Sequence, residues 1–302
     1  MSNYILRKGD HGPSVARLQR LLGEKGYMAV VDCAFGPATE KVVKEFQKDH
    51  SLSPDGIVGR KTWEPLVQLP DYCDDLSRFI VHNGKQFPIK WSRMVLWTDP
   101  GGLEINPGCY WNYSNKSDRK PNMFVNHWDV CLSSESCVDV LNRRKVSVHF
   151  CIDGDGTIYQ TLDTQHGAWH ASLNAANRSS IGVEINNAYY LKYQSDATKR
   201  GLGERPIQEN GVVHGRTLKR FTWFYDAQIE ALKALWVAIS NAHNIPLDFP
   251  KDDNGSFSTT VHPDCRSGKF EGFCNHYNMV DRKIDCAGLD IPKIISDIKK
   301  FD

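Results

Sequence analysis

The chain has 302 residues, a length that suits one mid-sized domain together with a small one. Apolar residues make up 40% and charged residues 24% of the sequence, which is typical of a folded globular protein and excludes a disordered or fibrous architecture. Lys and Arg number 37 against 36 Asp and Glu, so there is no global charge to attract nucleic acid or an anionic membrane. We therefore expect two folded domains and no polyanionic partner.

The sequence contains no run of roughly 18 apolar residues, and its start, MSNYILRKGD, lacks the apolar segment of a signal peptide. We therefore expect no membrane insertion, synthesis in the cytoplasm, and export, if any, by another route. The nine cysteines are an odd number spread along a long chain, so most should be reduced and buried. Cys131 with Cys137, and Cys265 with Cys274, are close enough in sequence to pair in an oxidising compartment.

The first seventy residues carry the pattern of short amphipathic helices. Residues 14–22 place apolar side chains on one helical face, and a second helix is predicted in GPATEKVVKEFQKDH, where Pro37 suits an early helical position. The turn in PDGIVGRKTWEPL then leads into a third helix. The apolar residues of the first two helices are Val15, Leu18, Leu21, Leu22, Val42, Val43 and Phe46.

Two segments of this region, DCAFGPAT and DGIVGRKT, share Asp, an apolar residue, Gly and Thr at the same offsets. One interpretation is that the same turn and helix-start chemistry is used twice because it is stable. The order of these segments and of LQRLL also resembles the three-helix peptidoglycan-binding domain of cell-wall hydrolases, over about residues 5–68. The resemblance implies a peptidoglycan-binding domain at residues 1–70. The following LVQLPDYCDDLS runs through a proline into an acidic patch, so we expect a linker at 71–77 and a second domain at 78–302.

The second domain reads as strands interleaved with one long helix. NMFVNH is a short apolar strand, KVSVHFCIDGDGTIYQTL alternates like a hairpin around DGDG, and SSIGVEINN is another apolar strand. Residues 223–243 carry apolar side chains at helical spacing, and a further strand follows. The fold class is therefore α/β, a mixed central sheet flanked by helices and preceded by a small all-α three-helix domain.

Four separated motifs in this domain occur in the order found in a known family. They are FVNHW, VSVHFCIDGDGTIYQ, AWHASLNAANRSSIGVEINN and HYNMVDRKIDCAG, within roughly residues 120–290. Together they resemble the zinc-dependent N-acetylmuramoyl-L-alanine amidases of the second amidase family, which include phage endolysins and the related peptidoglycan recognition proteins. The resemblance implies the fold of that family and hydrolysis of an amide bond in peptidoglycan.

The resemblance also implies a zinc site built from His127, His276 and Asp285. Two imidazoles and one carboxylate leave the fourth tetrahedral position of Zn²⁺ open for water, as hydrolysis requires. Cys286 follows Asp285 where the family has proline, so Cys286 is the alternative third ligand. Neighbouring residues of an extended chain point in opposite directions, so only one of the two can face the metal.

Two further residues are expected to take part in catalysis. By the resemblance Glu184, in an apolar strand, acts as the general base; the alternative is a buried ion pair with Lys or Arg. Lys283 lies two residues before Asp285, on the same side of an extended segment, where its cation would stabilise a developing oxyanion. The alternative for Lys283 is an ion pair with Asp281 or Asp285.

By the same resemblance Trp169, His170 and Asn177 are expected to line the substrate, with Ser172 standing where the family has glycine or its neighbour. Residues 189–221 form a long polar insertion between a strand and the major helix. Insertions of this size are often functional, so this one is expected to form a wall of the groove or to be a solvated surface.

The predicted function is hydrolysis of the amide between N-acetylmuramic acid and L-alanine, with Zn²⁺ as cofactor and peptidoglycan as partner. A non-catalytic peptidoglycan sensor of the same fold and a zinc peptidase that cuts within the stem peptide are the alternatives. A wall substrate without a signal peptide suggests a phage lysin released through a holin-type hole, or a toxin injected into a rival cell. The sequence does not indicate an oligomeric state.

Overall fold

The computed structural model describes residues 5–11, 13–66, 78–113 and 119–301 of the chain. The linker predicted at residues 71–77 lies outside the described residues. The chain divides into two compact units, one of Met1–Asp75 with Lys192–Arg205 and one of Leu76–Leu191 with Pro206–Asp302. The segment Lys192–Arg205, which the sequence-based division places in the second domain, is thus assigned to the first unit.

The helices of the described residues are α1 (Pro13–Glu24), α2 (Pro37–Asp49), α3 (Arg60–Leu66), α4 (Ser134–Arg144), α5 (Asn174–Ser179), α6 (Gln194–Lys199), α7 (Asp226–His243), α8 (Pro263–Ser267) and α9 (Ile291–Phe301). Short 3-10 helices occur at Leu191–Tyr193 and His276–Asn278. Within the described ranges, none of the helices combines the length and the apolarity needed to cross a lipid bilayer.

The strands are β1 (Phe79–His82), β2 (Lys85–Pro88), β3 (Met94–Leu96), β4 (Tyr110–Trp111), β5 (Met123–Trp128), β6 (Phe150–Ile152), β7 (Ile158–Gln160), β8 (Gly167–Ala168), β9 (Ser180–Ile185), β10 (Ile207–Gln208), β11 (Val212–Val213), β12 (Arg216–Thr217), β13 (Phe221–Thr222) and β14 (Gly272–Asn275).

Helices α1, α2 and α3 of the first unit pack around one small apolar core, as their sequence pattern predicts. Of the predicted apolar faces, Val15, Leu18, Leu22, Val43 and Phe46 are fully buried. Helix α2 begins at Pro37 directly after Gly36, in agreement with the expected early position of the proline. The three predicted helices of this region are therefore present.

The first copy of the internal repeat is held together by one buried glutamine of α1. The Gln19 carboxamide donates to Asp32 Oδ1 at 2.7 Å, to the Ala34 carbonyl at 3.0 Å and to Thr39 Oγ1 at 3.0 Å. Its oxygen accepts from the backbone N–H groups of Asp32 and Cys33, both at 3.1 Å. The Asp and Thr of the repeat are thus the partners of a buried amide.

The second copy repeats this arrangement with Gln47 of α2. Its carboxamide donates to Asp55 Oδ1 at 2.9 Å, to the Ile57 carbonyl at 2.9 Å and to Thr62 Oγ1 at 3.0 Å, and accepts from Gly56 N at 2.9 Å. A buried amide must be fully hydrogen-bonded to avoid a desolvation penalty, which explains why the same residue types recur at the same offsets. The repeat therefore builds the fold of the small domain.

A six-stranded mixed sheet with the order β14-β5-β9-β6-β7-β3 lies at the centre of the second unit. Strands β14, β5, β9 and β6 are parallel to one another, β7 is antiparallel to β6, and β3 is parallel to β7. The predicted hairpin around DGDG is the β6–β7 pair. The predicted α/β class, with a mixed sheet and a preceding helical region, is confirmed.

The two faces of this sheet are covered by different helices. Alternate residues such as Phe124, Val183 and Phe273 belong to the core that also contains Leu232 and Trp236 of α7. The opposite face packs in two other clusters, which include residues of α4 and α5. Because side chains alternate along a strand, the residues between those of the first core point to the α4 and α5 side.

Strand register fixes the position of the functional residues on that second face. His127 lies opposite Glu184 in the β5–β9 pair, and Asn126 lies opposite Asn275, the residue before His276, in the β5–β14 pair. Residues paired in register on parallel strands project to the same face. His127, Glu184 and His276 therefore meet near the carboxyl ends of the parallel strands, where open α/β sheets usually bind ligands.

Candidate active site

Two histidines and one aspartate from distant parts of the chain converge at the end of the parallel strands. His127 Nδ1 lies 2.9 Å from His276 Nδ1, and Asp285 Oδ2 lies 3.2 Å from His127 Nδ1 and 3.0 Å from His276 Nδ1. All three residues are buried. The structure thus brings together the three residues predicted from the sequence as metal ligands.

The electrostatics of this cluster arise from burial and from the proximity of the three groups. Burial, followed by the repulsion of a charged His276, lowers the pKa of His127 to about 4. Burial alone would raise the pKa of Asp285, but the two imidazoles hold this pKa well below its usual range. At neutral pH the cluster therefore contains the Asp285 carboxylate and a neutral His127 imidazole, the forms of these two groups that bind a divalent cation.

The donor atoms fit a zinc ion in number, type and spacing. A tetrahedral site with Zn–N and Zn–O bonds of about 2.0–2.1 Å separates its ligand atoms by roughly 3.3 Å. The observed separations of 2.9 to 3.2 Å are slightly shorter, so a small outward movement would admit the ion. Three protein ligands leave one position for solvent or substrate, as in catalytic rather than structural sites.

Cys286, the alternative ligand, lies elsewhere. Its side chain is fully buried in the large apolar core of the second unit, whereas the neighbouring Asp285 carboxylate faces the imidazoles. Burial raises the pKa of the Cys286 thiol well above its usual range, which disfavours the thiolate that a metal would need. The geometry therefore favours Asp285 as the third ligand.

Glu184 presents a buried carboxylate oxygen to the same space. Its Oε2 atom is shielded from solvent, and among the described residues it has no hydrogen-bond partner and Glu184 has no ion pair with Lys or Arg. Burial, followed by the negative charges of Asp129 and Asp285, raises the pKa of Glu184 well above its usual range. A buried carboxylate oxygen without a partner among the described residues is costly, so its presence points to a role in the reaction.

Lys283 is half-buried beside this carboxylate. Its positive charge acts in the direction that lowers the pKa of both Glu184 and His127, so the ammonium group is close enough to influence the site. Among the side chains that the structure describes, Lys283 has no ion pair with Asp281 or Asp285. The cation is thus available to a negative charge that develops on a substrate.

His170 lies behind the metal-ligand cluster. Its Nδ1 is 3.0 Å from His127 Nε2 and its Nε2 is 3.2 Å from Ser180 Oγ, so one half-buried ring connects the first ligand to β9. Gly182 makes room for this ring, because a Cβ at position 182 would lie 2.7 Å from His170 Nδ1. His170 can therefore orient His127, a contact that the sequence motif did not reveal.

The other two residues predicted to line the substrate have different environments. Asn177 Oδ1 accepts hydrogen bonds from the backbone N–H groups of His170 and Ala171, so it shapes the loop. Trp169 is half-buried, and none of the described residues accepts a hydrogen bond from its buried indole Nε1. Ser172 adopts a φ of 62°, a conformation that favours glycine, which explains why the family motif has glycine at or beside this position.

Sequence reasoning missed Trp111 because no motif surrounds it. Strand β4 pairs with β8, which brings Trp111 to Trp169 with ring centroids 5.9 Å apart in an edge-to-face arrangement. The guanidinium of Arg178 lies 4.5 Å from the Trp111 ring centroid. The Trp111–Trp169 pair, in which the Trp169 indole N–H has no described partner, suits contact with the face of a sugar. Only the pairing of β4 with β8 reveals that the two rings are neighbours.

A second group that could hold a metal consists of Asp129, Cys131 and Cys137. Asp129 already accepts hydrogen bonds from Asn186 Nδ2 at 3.1 Å and from the backbone N–H of Cys131 at 2.9 Å. Both cysteines are free thiols. A hydrogen bond with Cys137, followed by burial, raises the pKa of Cys131. The hydrogen bond with Cys131 lowers the pKa of Cys137, but a hydrogen bond with Cys151 and burial outweigh it and raise this pKa. These features favour a structural role for the group.

A buried trio of two imidazoles and a carboxylate, next to a Glu184 oxygen that has no hydrogen-bond partner among the described residues, is an arrangement suited to a metal-dependent hydrolase. Residues 117–285 match the N-acetylmuramoyl-L-alanine amidase family, which is more than half of the chain, so the chain belongs to this family. Residues 11–66 match a peptidoglycan binding domain. Both resemblances drawn from the sequence motifs are thereby confirmed.

Individual relatives cover only part of the chain. The chain is 41% identical over 69 residues to the zinc D-Ala-D-Ala carboxypeptidase of Streptomyces albus G, which is 22% of this chain and 27% of that protein. It is 36% identical over 72 residues to the spore cortex-lytic enzyme of Bacillus cereus, which is 24% of this chain and 28% of that protein. The chain therefore spans about a quarter of the length of these relatives.

Solved structures are also similar to parts of this chain. The endolysin and N-acetylmuramoyl-L-alanine amidase LysCS of Clostridium intestinale URNW is 14% identical, with a TM-score of 0.41 over 69% of this chain and 96% of that chain. The endolysin of Burkholderia phage AP3 is 44% identical, with a TM-score of 0.21 over 21% of this chain and 25% of that chain.

Proposed function

We propose that the protein hydrolyses the amide bond between N-acetylmuramic acid and L-alanine in peptidoglycan, with His127, His276 and Asp285 holding a zinc ion. The observation that carries this proposal is the convergence of three donor atoms within 3.2 Å of one another, beside a buried Glu184 oxygen for which the described part of the chain supplies no hydrogen-bond partner. The family match supports the choice of reaction.

Zinc, when bound, supplies a Lewis acid that polarises the amide carbonyl and lowers the pKa of water. The raised pKa of Glu184 suits a general base, because the carboxylate can take a proton from the attacking water and return it to the departing amine. The Lys283 ammonium stabilises the negative charge that develops on the carbonyl oxygen. The His170 ring holds His127 in the required orientation through the contact of its Nδ1 with His127 Nε2.

The N-terminal module would hold the enzyme on its insoluble substrate. A region matching a peptidoglycan binding domain supports this role. Tethering raises the local concentration of substrate bonds without tight binding at the catalytic centre. On this basis the protein acts on the bacterial cell wall, and we favour a phage lysin over an injected toxin.

The test uses the metal-reconstituted full chain on purified sacculi, with and without a chelator. We expect new L-alanine amino termini to appear, the chelator to abolish them, and Zn²⁺ to restore them. Mass spectrometry of the products identifies the cut bond, so cleavage within the stem peptide would overturn the amidase assignment. Binding to sacculi without release would instead support a non-catalytic sensor. Anomalous scattering from a crystal at the zinc edge tests the metal and its ligands directly.

A further inference from the structure

The polar insertion between β9 and α7 contains a tight hairpin whose tip contacts the catalytic segment. Strands β11 and β12 pair with Val213 opposite Arg216, so the turn consists of His214 and Gly215 alone. Both turn residues have positive φ, 50° and 70°, as a type I′ turn requires. Asn-Gly is the favoured sequence for this turn, and histidine in the left-handed region is less favourable.

The His214 imidazole accounts for this choice of residue. Its Nε2 lies 3.0 Å from the backbone carbonyl oxygen of Lys283, and its Nδ1 lies 3.3 Å from Thr260 Oγ1. A carbonyl oxygen only accepts hydrogen bonds, so Nε2 carries the proton and donates it. In the neutral ring, Nδ1 then accepts from the Thr260 hydroxyl. The His214 backbone N–H also donates to the Thr259 carbonyl at 2.9 Å.

The insertion contacts the residues around the catalytic segment in other places as well. The His214 ring lies edge-to-face against Tyr277, the residue after the ligand His276, with centroids 6.1 Å apart. Farther along, the Gln208 side chain packs so closely on Gly288 that a Cβ there would lie 3.0 Å from Gln208 Cδ. The insertion thus contacts both ends of residues 283–288, the segment that carries Lys283 and Asp285.

We propose that His214 is a positioning residue, which fixes the main chain at Lys283 so that the Lys283 ammonium faces the reacting carbonyl. This role rests on the proposed amidase function. The Lys283 backbone N–H donates to the Val280 carbonyl, so the His214 donor holds the opposite side of the same residue. Without the His214 contact, the hydrogen bond to Val280 is the one that remains at the Lys283 main chain among those the described residues make.

The decisive variant is His214→Asn. Asparagine suits the turn at least as well as histidine, but its side chain is too short to reach the Lys283 carbonyl. We expect an unchanged or higher melting temperature, a kcat about tenfold lower on sacculi fragments with saturating Zn²⁺, and a KM within about twofold of the parent. His214→Gln, which keeps a donor of greater reach, should recover part of the loss. The exposed neighbour substitution Arg216→Gln serves as the matched control.

Coupling to the cation separates positioning from a general structural role. In a Lys283→Met background, His214→Asn should cause little further loss of kcat, because the group being positioned is gone. Parental kcat in His214→Asn, or losses that simply multiply in the double variant, would overturn the proposal.

If the parent itself releases no amino termini, the proposed amidase function is wrong. The positioning role of His214 can then still be tested by measuring the affinity for Zn²⁺. Competition with a chromogenic chelator should then show at least threefold weaker binding in His214→Asn, because Asp285 lies two residues from the anchored carbonyl. Unchanged affinity in an inactive protein would overturn the proposal.

Discussion

Replacing Glu184 by glutamine tests the centre of the proposed mechanism. The substitution keeps the shape of the side chain but removes its capacity to take a proton. The buried Oε2 atom has no other partner, so the change breaks no hydrogen bond with a described residue. General-base catalysis contributes about 10²–10⁴ in rate, so kcat should fall by this factor, equivalent to roughly 3–5 kcal/mol of activation free energy.

The assay measures the release of amino termini from sacculi by parent and Glu184→Gln, with bound zinc determined in both samples. The exposed Glu209→Gln substitution is the matched control and should retain parental activity. If zinc-loaded Glu184→Gln keeps more than about a tenth of the parental kcat, Glu184 is not the general base.

The same variant makes an independent prediction about stability. Because the folded-state pKa of Glu184 is raised, this group contributes full stability below its unfolded pKa of about 4.3, and the contribution is lost as pH rises through the folded pKa. The metal-free Glu184→Gln variant has no ionisable group at position 184, so it does not lose stability in this way as the pH rises. It should therefore melt at a higher temperature than the parent at pH 8, and the difference should shrink toward pH 4.5. An equal or lower melting temperature at pH 8 would contradict the burial argument.

Three further changes test the metal centre, the small domain and acid stability. Saturating Zn²⁺, at about a thousandfold excess over its Kd, should stabilise the parent by roughly 4 kcal/mol and should stabilise Asp285→Asn far less. If Zn²⁺ raises both melting temperatures equally, Asp285 is not a ligand. Gln47→Ala should cost the N-terminal module about 2–4 kcal/mol in urea unfolding, since four hydrogen bonds of a buried amide are lost. Burial lowers the pKa of His243 to about 3, and the charges of His82 and Arg119 add to the effect. The contribution of His243 to stability is therefore present above about pH 6.5 and is lost as the pH falls toward 3. The melting temperature of His243→Gln should accordingly fall less steeply between pH 7 and 4, and parallel curves would refute this assignment.

The sequence alone determined the local elements and the kinds of chemistry. Helical spacing located α1, α2 and α7, and the apolar strands that carry His127 and Glu184 were readable because side-chain periodicity is a local property. The order of four motifs gave the family and the candidate ligands. The paired Asp and Thr of the small domain were visible as a repeat, although not the buried glutamines that use them.

The tertiary structure alone decided which of these residues meet and in what orientation. It directed Asp285 to the imidazoles and Cys286 to the core, and it placed Trp111 against Trp169 and His214 against Lys283. These contacts join residues as far apart as His127 and Asp285, which are 158 positions apart, or separate two neighbours onto opposite sides of one backbone. They depend on strand register and on the packing of an insertion, and neither is encoded in the periodicity of a single segment.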